Sequence, residues 1–289
     1  MIRPILIIFL LIIIVLIHTL SPREAFTNNQ ERPNIWMYWE NKPGKMKPEY
    51  LNLCYETVVK NCEQSFTINL LNEKTVYNFL PNLRRDLDQY MSIPQKTDLI
   101  RLSLLHKYGG IWVDSDTIVI RDLKPLWDKT KKHEYIGFGC TGNGCKHRQS
   151  GYPSPSNWMM ISRKGGKLMR ECLKEANRLL ETDSGIFKRK YHIIGRLLLW
   201  KKIKELRKTG WDYFHVDSRC AERDSDGVKY RNNRLISKEC YDESCKAKIY
   251  FLPIYNTAPG FPKWFLEKDR DSLLNSEMLI SEMYRMALN

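Results

Sequence analysis

The sequence predicts one α/β domain behind an apolar N-terminal segment, and three observations carry that prediction. Leu99, Leu102 and Leu105 recur at helical spacing, the pattern of a helix laid on a core. Gly109-Gly110 then stops the helix, and Ile111-Trp112-Val113 follows as a short apolar run of the kind that fills a buried strand. Beyond the first 32 residues, 257 of the 289 remain, a size ordinary for an α/β enzyme with an open sheet. An apolar content of 43% is enough to build that core, and no repeat, low-complexity tract or Ser/Gly linker divides it.

The N-terminus reads as a membrane signal. Ile5 to Ile17 is thirteen uninterrupted apolar residues, each favouring insertion by roughly 0.3 to 0.6 kcal/mol at a bilayer centre. A helix from Pro4 to Leu20 spans about 25 Å, close to a thin endoplasmic-reticulum bilayer. A cleaved signal peptide is the rival, but the only small-residue pair, Thr19 and Ser21, is followed by Pro22, a poor site for cleavage. The expected organisation is a short cytosolic tail (1–3), a transmembrane signal anchor (4–20), a short stem (21–32) and a catalytic domain (33–289). Arg3 and the free amine precede the apolar run, whereas Arg23 after it is offset by Glu24. The slight bias favours a single-pass type II protein with a lumenal domain.

Directly after the apolar run at 111–113 stand Asp114 and Asp116, one residue apart in a turn. Two carboxylates so placed at a strand end can share Mn²⁺ or Mg²⁺ and leave coordination positions for phosphate oxygens. Asp98 and Arg101 are three apart on the preceding helix and share a face. As an exposed ion pair they would add little stability, and Asp98 could equally serve as a first-turn carboxylate.

The order Asp98, Arg101, Tyr108-Gly109-Gly110 and Asp114-x-Asp116 resembles the core signature of family 32 glycosyltransferases, in particular their capsular-polysaccharide-synthesis branch. PNIWMYWE at Pro33 to Glu40 resembles that family's first strand. LCYETVVKNC and FTINLLNEKTVYNFLP resemble its first helix, second strand and second helix, and PSNWMMISRKGGKLMRECLKEA resembles a later strand and helix. The likeness spans about Pro33 to Leu180. It implies a glycosyltransferase-A fold (a Rossmann-like mixed sheet flanked by helices), a UDP- or GDP-sugar donor and retention of anomeric configuration. Asp116 would bind the metal directly, and Asp114 would contact ribose or reach the metal through water. Asp98 and Arg101 would face the donor sugar and ribose. The signature's Gly109 and Gly110 join the donor-binding set. Trp39 holds the place where related enzymes stack an aromatic ring on the base, although an aromatic in an apolar strand is as readily core.

The eight cysteines allow 105 complete pairings, so none is assigned. Cys54 and Cys172 fall in helix-like segments as small buried hydrophobes, and Cys140, Cys145 and His147 lack the spacing of common zinc modules. No Asn-x-Ser/Thr sequon occurs. The net charge of +14 concentrates in Lys188-Arg189-Lys190 and in the helix from Arg196, where Leu199, Ile203 and Leu206 form an apolar stripe. That helix reads as a solvated face. A membrane surface is the further candidate for the charge, and no nucleic-acid motif accompanies it. Late in the chain, Ile249 to Ile254 reads as a strand, and His215, Asn256 and Trp264 are candidates for a further metal or phosphate contact. Leu273 to Leu288 is an amphipathic segment expected to pack on the domain.

Together these observations point to a metal-dependent glycosyltransferase that moves a hexose from a nucleotide-diphosphate sugar to a hydroxyl of a glycan or lipid-linked acceptor. Two alternatives from other classes stand beside it. A metal-dependent phosphoryl-transfer enzyme also uses paired aspartates, but the sequence lacks a Gly-rich phosphate loop. A catalytically inactive, membrane-anchored sugar-nucleotide or glycan-binding protein would keep the same signature.

Overall fold

Strand β1 (Asn34–Tyr38) feeds helix α1 (Glu49–Cys62), and the chain returns as β2 (Thr67–Leu71), parallel to β1 from Asn34 opposite Thr67 to Tyr38 opposite Leu71. Helix α2 (Ile93–Tyr108) then leads to β3 (Gly110–Val113), parallel to β1 on its other side. The chain leaves the sheet at β4 (Thr117–Val119) and re-enters as β5 (Tyr135–Gly139) and β6 (Ser156–Ser162). Helices α3 (Lys167–Thr182) and α4 (Arg196–Arg207) precede β7 (Phe214–Asp217). The computed structural model describes residues 32–139, 155–222, 234–238, 240–241, 243–254 and 261–289.

The six-stranded sheet has the order β2-β1-β3-β6-β5-β7, and only β6 among these strands runs against its neighbours. One edge therefore collects the C-terminal ends of β1, β3, β5 and β7 together with the start of β6. Both faces of the central strands β1, β3, β5 and β6 are buried, which is why their sequences read as near-continuous apolar runs. Ile35, Met37, Ile111 and Val113 enter the core on one face, and Trp36, Tyr38 and Trp112 enter the core on the other, where α2, α3 and α4 contribute. A second sheet pairs β4 with β8 (Phe251–Pro253), antiparallel. Against it pack α1, α5 (Arg270–Asn275) and α6 (Leu279–Leu288).

The helix that carries Asp98 is closed at both ends by local chemistry. The Ser92 N–H donates to Gln95 Oε1 at 3.0 Å, and Pro94 stands in the first turn, where its missing N–H costs nothing. At the other end Gly109 (φ +69°) and Gly110 (φ +109°) take conformations that side chains resist.

Several sequence expectations change in detail. The second-helix segment of the resemblance is one turn, Val76–Phe79, because Pro81 disfavours helix at the residue before it. The strand expected over Ile249 to Ile254 pairs only at Phe251–Pro253. The C-terminal segment is two helices: Arg285 Nη1 donates to the carbonyls of Leu274 (2.5 Å) and Ser276 (3.2 Å), satisfying helix-end acceptors at the break. Both helices do pack on the domain, through Leu273, Leu279, Met283 and Tyr284. Leu199, Ile203 and Leu206 of α4 are buried, as is the stripe Leu99, Leu102 and Leu105 of α2. Cys54 and Cys172 are buried free thiols, while Cys220 is bonded to Cys245. The tail, the anchor at 4–20 and nearly all of the stem at 21–32 lie outside the described residues, as do Cys140, Cys145 and His147. Among the described residues no helix is long and apolar enough to cross a membrane.

Candidate active site

The turn Asp114-Ser115-Asp116 leaves the C-terminal end of β3 and is held from three directions. The Asp114 N–H donates to the Trp158 carbonyl at 2.8 Å, Ser115 Oγ to the Tyr38 carbonyl at 2.8 Å, and the Ile254 N–H to the Asp116 carbonyl at 2.8 Å. The two carboxylates are thus carried on backbone tied to β6, to β1 and to the segment after β8. Such anchoring suits a site whose ligands must hold their positions.

Arg101 reaches this turn from α2. Its Nη1 lies 3.1 Å from Asp114 Oδ1, its Nε lies 3.2 Å from Asp98 Oδ1, and its Nη1 also donates to the Asn157 carbonyl. Its guanidinium lies 4.9 Å from the centre of the Trp112 ring, within cation–π range. The Trp112 Nε1–H donates to Asp114 Oδ1 at 2.7 Å, and Asn157 Nδ2 donates to Asp98 Oδ1 at 2.7 Å. Asp98 and Arg101 are only 8% and 6% exposed, so the expectation of an exposed pair is corrected. They form a buried ion pair, shielded from the screening that makes surface pairs weak. Burial lifts Asp98 to about 6, against the opposing pull of Arg101. Burial also raises Asp114, again opposed by Arg101 and by the Trp112 bond.

Trp39 follows β1 at the same edge, half-buried, with its Nε1–H donating to Asn41 Oδ1 at 2.7 Å. Beside it Glu40 accepts from Tyr38 Oη at 2.6 Å and pairs with Lys96 at 2.6 Å, and Lys96 also reaches Asp88 at 2.7 Å. This network ties the end of β1 to α2, two residues ahead of Asp98.

Gly109 and Gly110 stand apart from the Asp114 turn. They sit at the opposite, N-terminal end of β3, about 13 Å along the strand from Asp114. A Cβ on Gly110 would overlap the Asn34 carbonyl oxygen, and the Gly109 carbonyl accepts the Trp36 Nε1–H at 2.8 Å. Their role is close backbone packing. His215 lies on β7, three strand positions from β3 or about 14 Å, bonded to the Gly139 carbonyl at 3.1 Å. Trp264 stands on a short turn at Lys263–Glu267 and lines a shallow pocket of about 360 Å³ with Glu267, Lys268, Asp269 and Ser272, apart from the carboxylate site. Asn256 lies outside the described residues.

Sequence reasoning missed Asn157, Trp112 and Gly195. Asn157 left one signal, a polar residue opening an apolar strand. Gly195 left none, yet a Cβ there would overlap Asp98 Oδ2.

Among the described residues no group of three His, Cys, Asp or Glu side chains comes together as a metal cage. Asp114, whose Oδ1 already meets Arg101 and Trp112, and Asp116 could supply the one or two carboxylates that a hard cation of the Mg²⁺ type takes from protein, the rest of its shell being substrate phosphate and water.

Comparison with known proteins adds a family. The model of the capsular polysaccharide synthesis protein family matches residues 15–198. The O-glycosyltransferase PaGT of Phomopsis amygdali is 25% identical over 154 residues, 47% of this chain, which spans only 36% of that protein's length. Among solved structures, the galactosyltransferase LgtC in complex with donor and acceptor sugar analogs is similar over 87% of this chain and 95% of that one, at 14% identity and a TM-score of 0.46. A glycosyltransferase involved in glycosylation of the major capsid of PBCV-1 is similar over 78% of this chain and 95% of that one, at 11% identity and a TM-score of 0.38.

Proposed function

The chain belongs to the capsular polysaccharide synthesis protein family, and we propose that it is a metal-dependent glycosyltransferase of the glycosyltransferase-A fold, allied to family 32. Its reaction moves a hexose from a UDP- or GDP-sugar to a hydroxyl of a glycan or lipid-linked acceptor, with retention of configuration. The observation that carries this reading is the anchored Asp114/Asp116 turn at the C-terminal edge of parallel strands, with Arg101 joined to Asp114 at 3.1 Å. Open α/β sheets bind their ligands at that edge.

Each residue then has a physical task. Trp39, at the end of β1, offers an aromatic face to the base. Asp114 and Asp116 hold the cation, which when bound neutralises charge on the leaving diphosphate. Arg101, buried among Asp98, Asn157 and Trp112, orients Asp114 and brings positive charge near the developing anion. Asp98, buried against Arg101 and Asn157 on the β6 side of the turn, would hold the arginine in place beneath the donor sugar. The apolar run Ile5 to Ile17 supports a type II anchor that holds the domain at a lumenal membrane face.

The test is a screen of UDP-hexoses and GDP-mannose for nucleoside-diphosphate release by the purified chain in Mn²⁺, with and without p-nitrophenyl glycosides as acceptors. Release from at least one donor is expected. No release from any of them, by a folded chain, contradicts the proposal.

A further inference from the structure

The turn Tyr191–Gly195, silent in the sequence, is pinned to the same face of α2 that carries Asp98 and Arg101. Gln95 stands one helical turn ahead of Asp98 and is 3% exposed. Its Nε2 donates to the carbonyls of Phe187 at 2.8 Å and Tyr191 at 3.2 Å. At the other end of the turn Gly195 packs so closely on Asp98 that any side chain would collide with Oδ2. The backbone between these two points runs along α2 from Gln95 to Asp98.

Tyr191 itself is left half exposed, at 49%. The edge of one ring of Tyr191 and His192 meets the other at 4.8 Å and 83°. Burial, with the charge of Asp98 adding to it, pushes the Tyr191 phenol above its ordinary value. A large aromatic held through its backbone and left open to solvent has a free face, and its two side-chain torsions make ordering on a ligand inexpensive. The ligand chemistry that suits an open aromatic face at the edge of such a turn is a pyranose, with apolar C–H groups on its face and hydroxyls at its rim.

We propose that Tyr191 is a specificity-determining residue, whose ring packs on a pyranose of the reacting pair beside the turn that covers Asp98. The proposal rests on the glycosyltransferase reading. That pyranose is either the donor hexose or the terminal sugar of the acceptor, and the experiment separates the two.

The wild-type chain, Tyr191→Ala and Tyr191→Phe are compared in three measurements: hydrolysis of the active nucleotide sugar without acceptor, transfer to a p-nitrophenyl glycoside, and binding of the free nucleoside diphosphate. Tyr191→Ala is expected to lower kcat/KM by about tenfold or more, the scale of a truncated aromatic contact. Tyr191→Phe should recover most of that loss, and nucleoside-diphosphate affinity should be unchanged in both. Loss in hydrolysis as well as transfer assigns the donor hexose, and loss in transfer alone assigns the acceptor. An active wild type with an equally active Tyr191→Ala overturns this proposal and leaves the glycosyltransferase reading standing. So does a Tyr191→Phe as impaired as the alanine variant, or a loss that falls equally on nucleoside-diphosphate binding. A wild type that hydrolyses no nucleotide sugar overturns both.

Discussion

Arg101 and Asp114 meet at 3.1 Å where the buried side of the site gives way to its open side: the arginine side chain is 7% exposed and the aspartate 28%. Arg101 also pairs with Asp98 at 3.2 Å, so one guanidinium compensates two carboxylates. Removing it leaves both without that partner in a poorly solvated place, and breaking a buried pair costs about 3 to 5 kcal/mol. Arg101→Ala should therefore melt several degrees early and also lose donor turnover. Arg101→Lys keeps the charge without the planar fork and should fall between. Thermal melts beside donor kinetics check this, and an Arg101→Ala chain that melts like wild type would show the pair to be energetically idle.

Two tryptophans at β1 separate structure from ligand binding. Trp36 is 1% exposed and Nε1-bonded to the Gly109 carbonyl at 2.8 Å. Trp36→Ala should cost about 3 to 5 kcal/mol of stability. Trp39 is half-buried at the site edge, so Trp39→Ala should lose less stability and weaken binding of the free nucleoside diphosphate as much as that of the nucleotide sugar. Calorimetry on both variants decides it. Normal nucleotide affinity in Trp39→Ala removes stacking on the base.

Gly110→Ala should fail by overlap with the Asn34 carbonyl and by strain at φ +109°. The expected result is poor expression or early melting, with the folded fraction binding nucleotide normally. A stable variant with selectively weakened nucleotide binding would return Gly110 to the donor site.

Asp98 gives a pH signature whose sign follows from linkage. Burial raises its native pKa to about 6, above the ordinary value near 3.8. Between those values the native state binds the proton more tightly than the unfolded chain, so this residue's contribution to stability falls as pH rises through the window, then levels. Metal-free melts of wild type against Asp98→Asn should show wild type losing relative stability from about pH 4 to pH 6. A pH-independent difference contradicts the shift.

How much of this was legible in the sequence depended on the range of the interaction. The leucine stripe, the Gly109-Gly110 stop, the strand at 111–113 and the Asp-x-Asp turn are local patterns, written within one or two turns of chain. What stayed hidden was tertiary. Asn157 reaches Asp98 across 59 positions, and Gly195 meets the same carboxylate from still farther along. Glycines are ambiguous for a physical reason as well: a sharp backbone turn beside a ligand and a close approach between strands demand the same missing Cβ. The family signature could therefore place Gly109 and Gly110 with the donor set, while the fold puts them at the far end of β3. The burial of Asp98 and Arg101 was equally unreadable, since an i, i+3 pair looks the same on a surface as under a loop.

The metal role of the Asp-x-Asp turn is tested most directly by Asp116→Asn, which removes an anionic ligand at nearly constant volume on backbone already fixed by the Ile254 bond at 2.8 Å. Nucleoside-diphosphate release from the active nucleotide sugar is measured across a Mn²⁺ titration, beside melts of both chains. Metal-dependent release by wild type and near-complete loss in Asp116→Asn at an unchanged melting temperature are expected. Wild-type turnover by the purified variant in saturating Mn²⁺ would contradict that role.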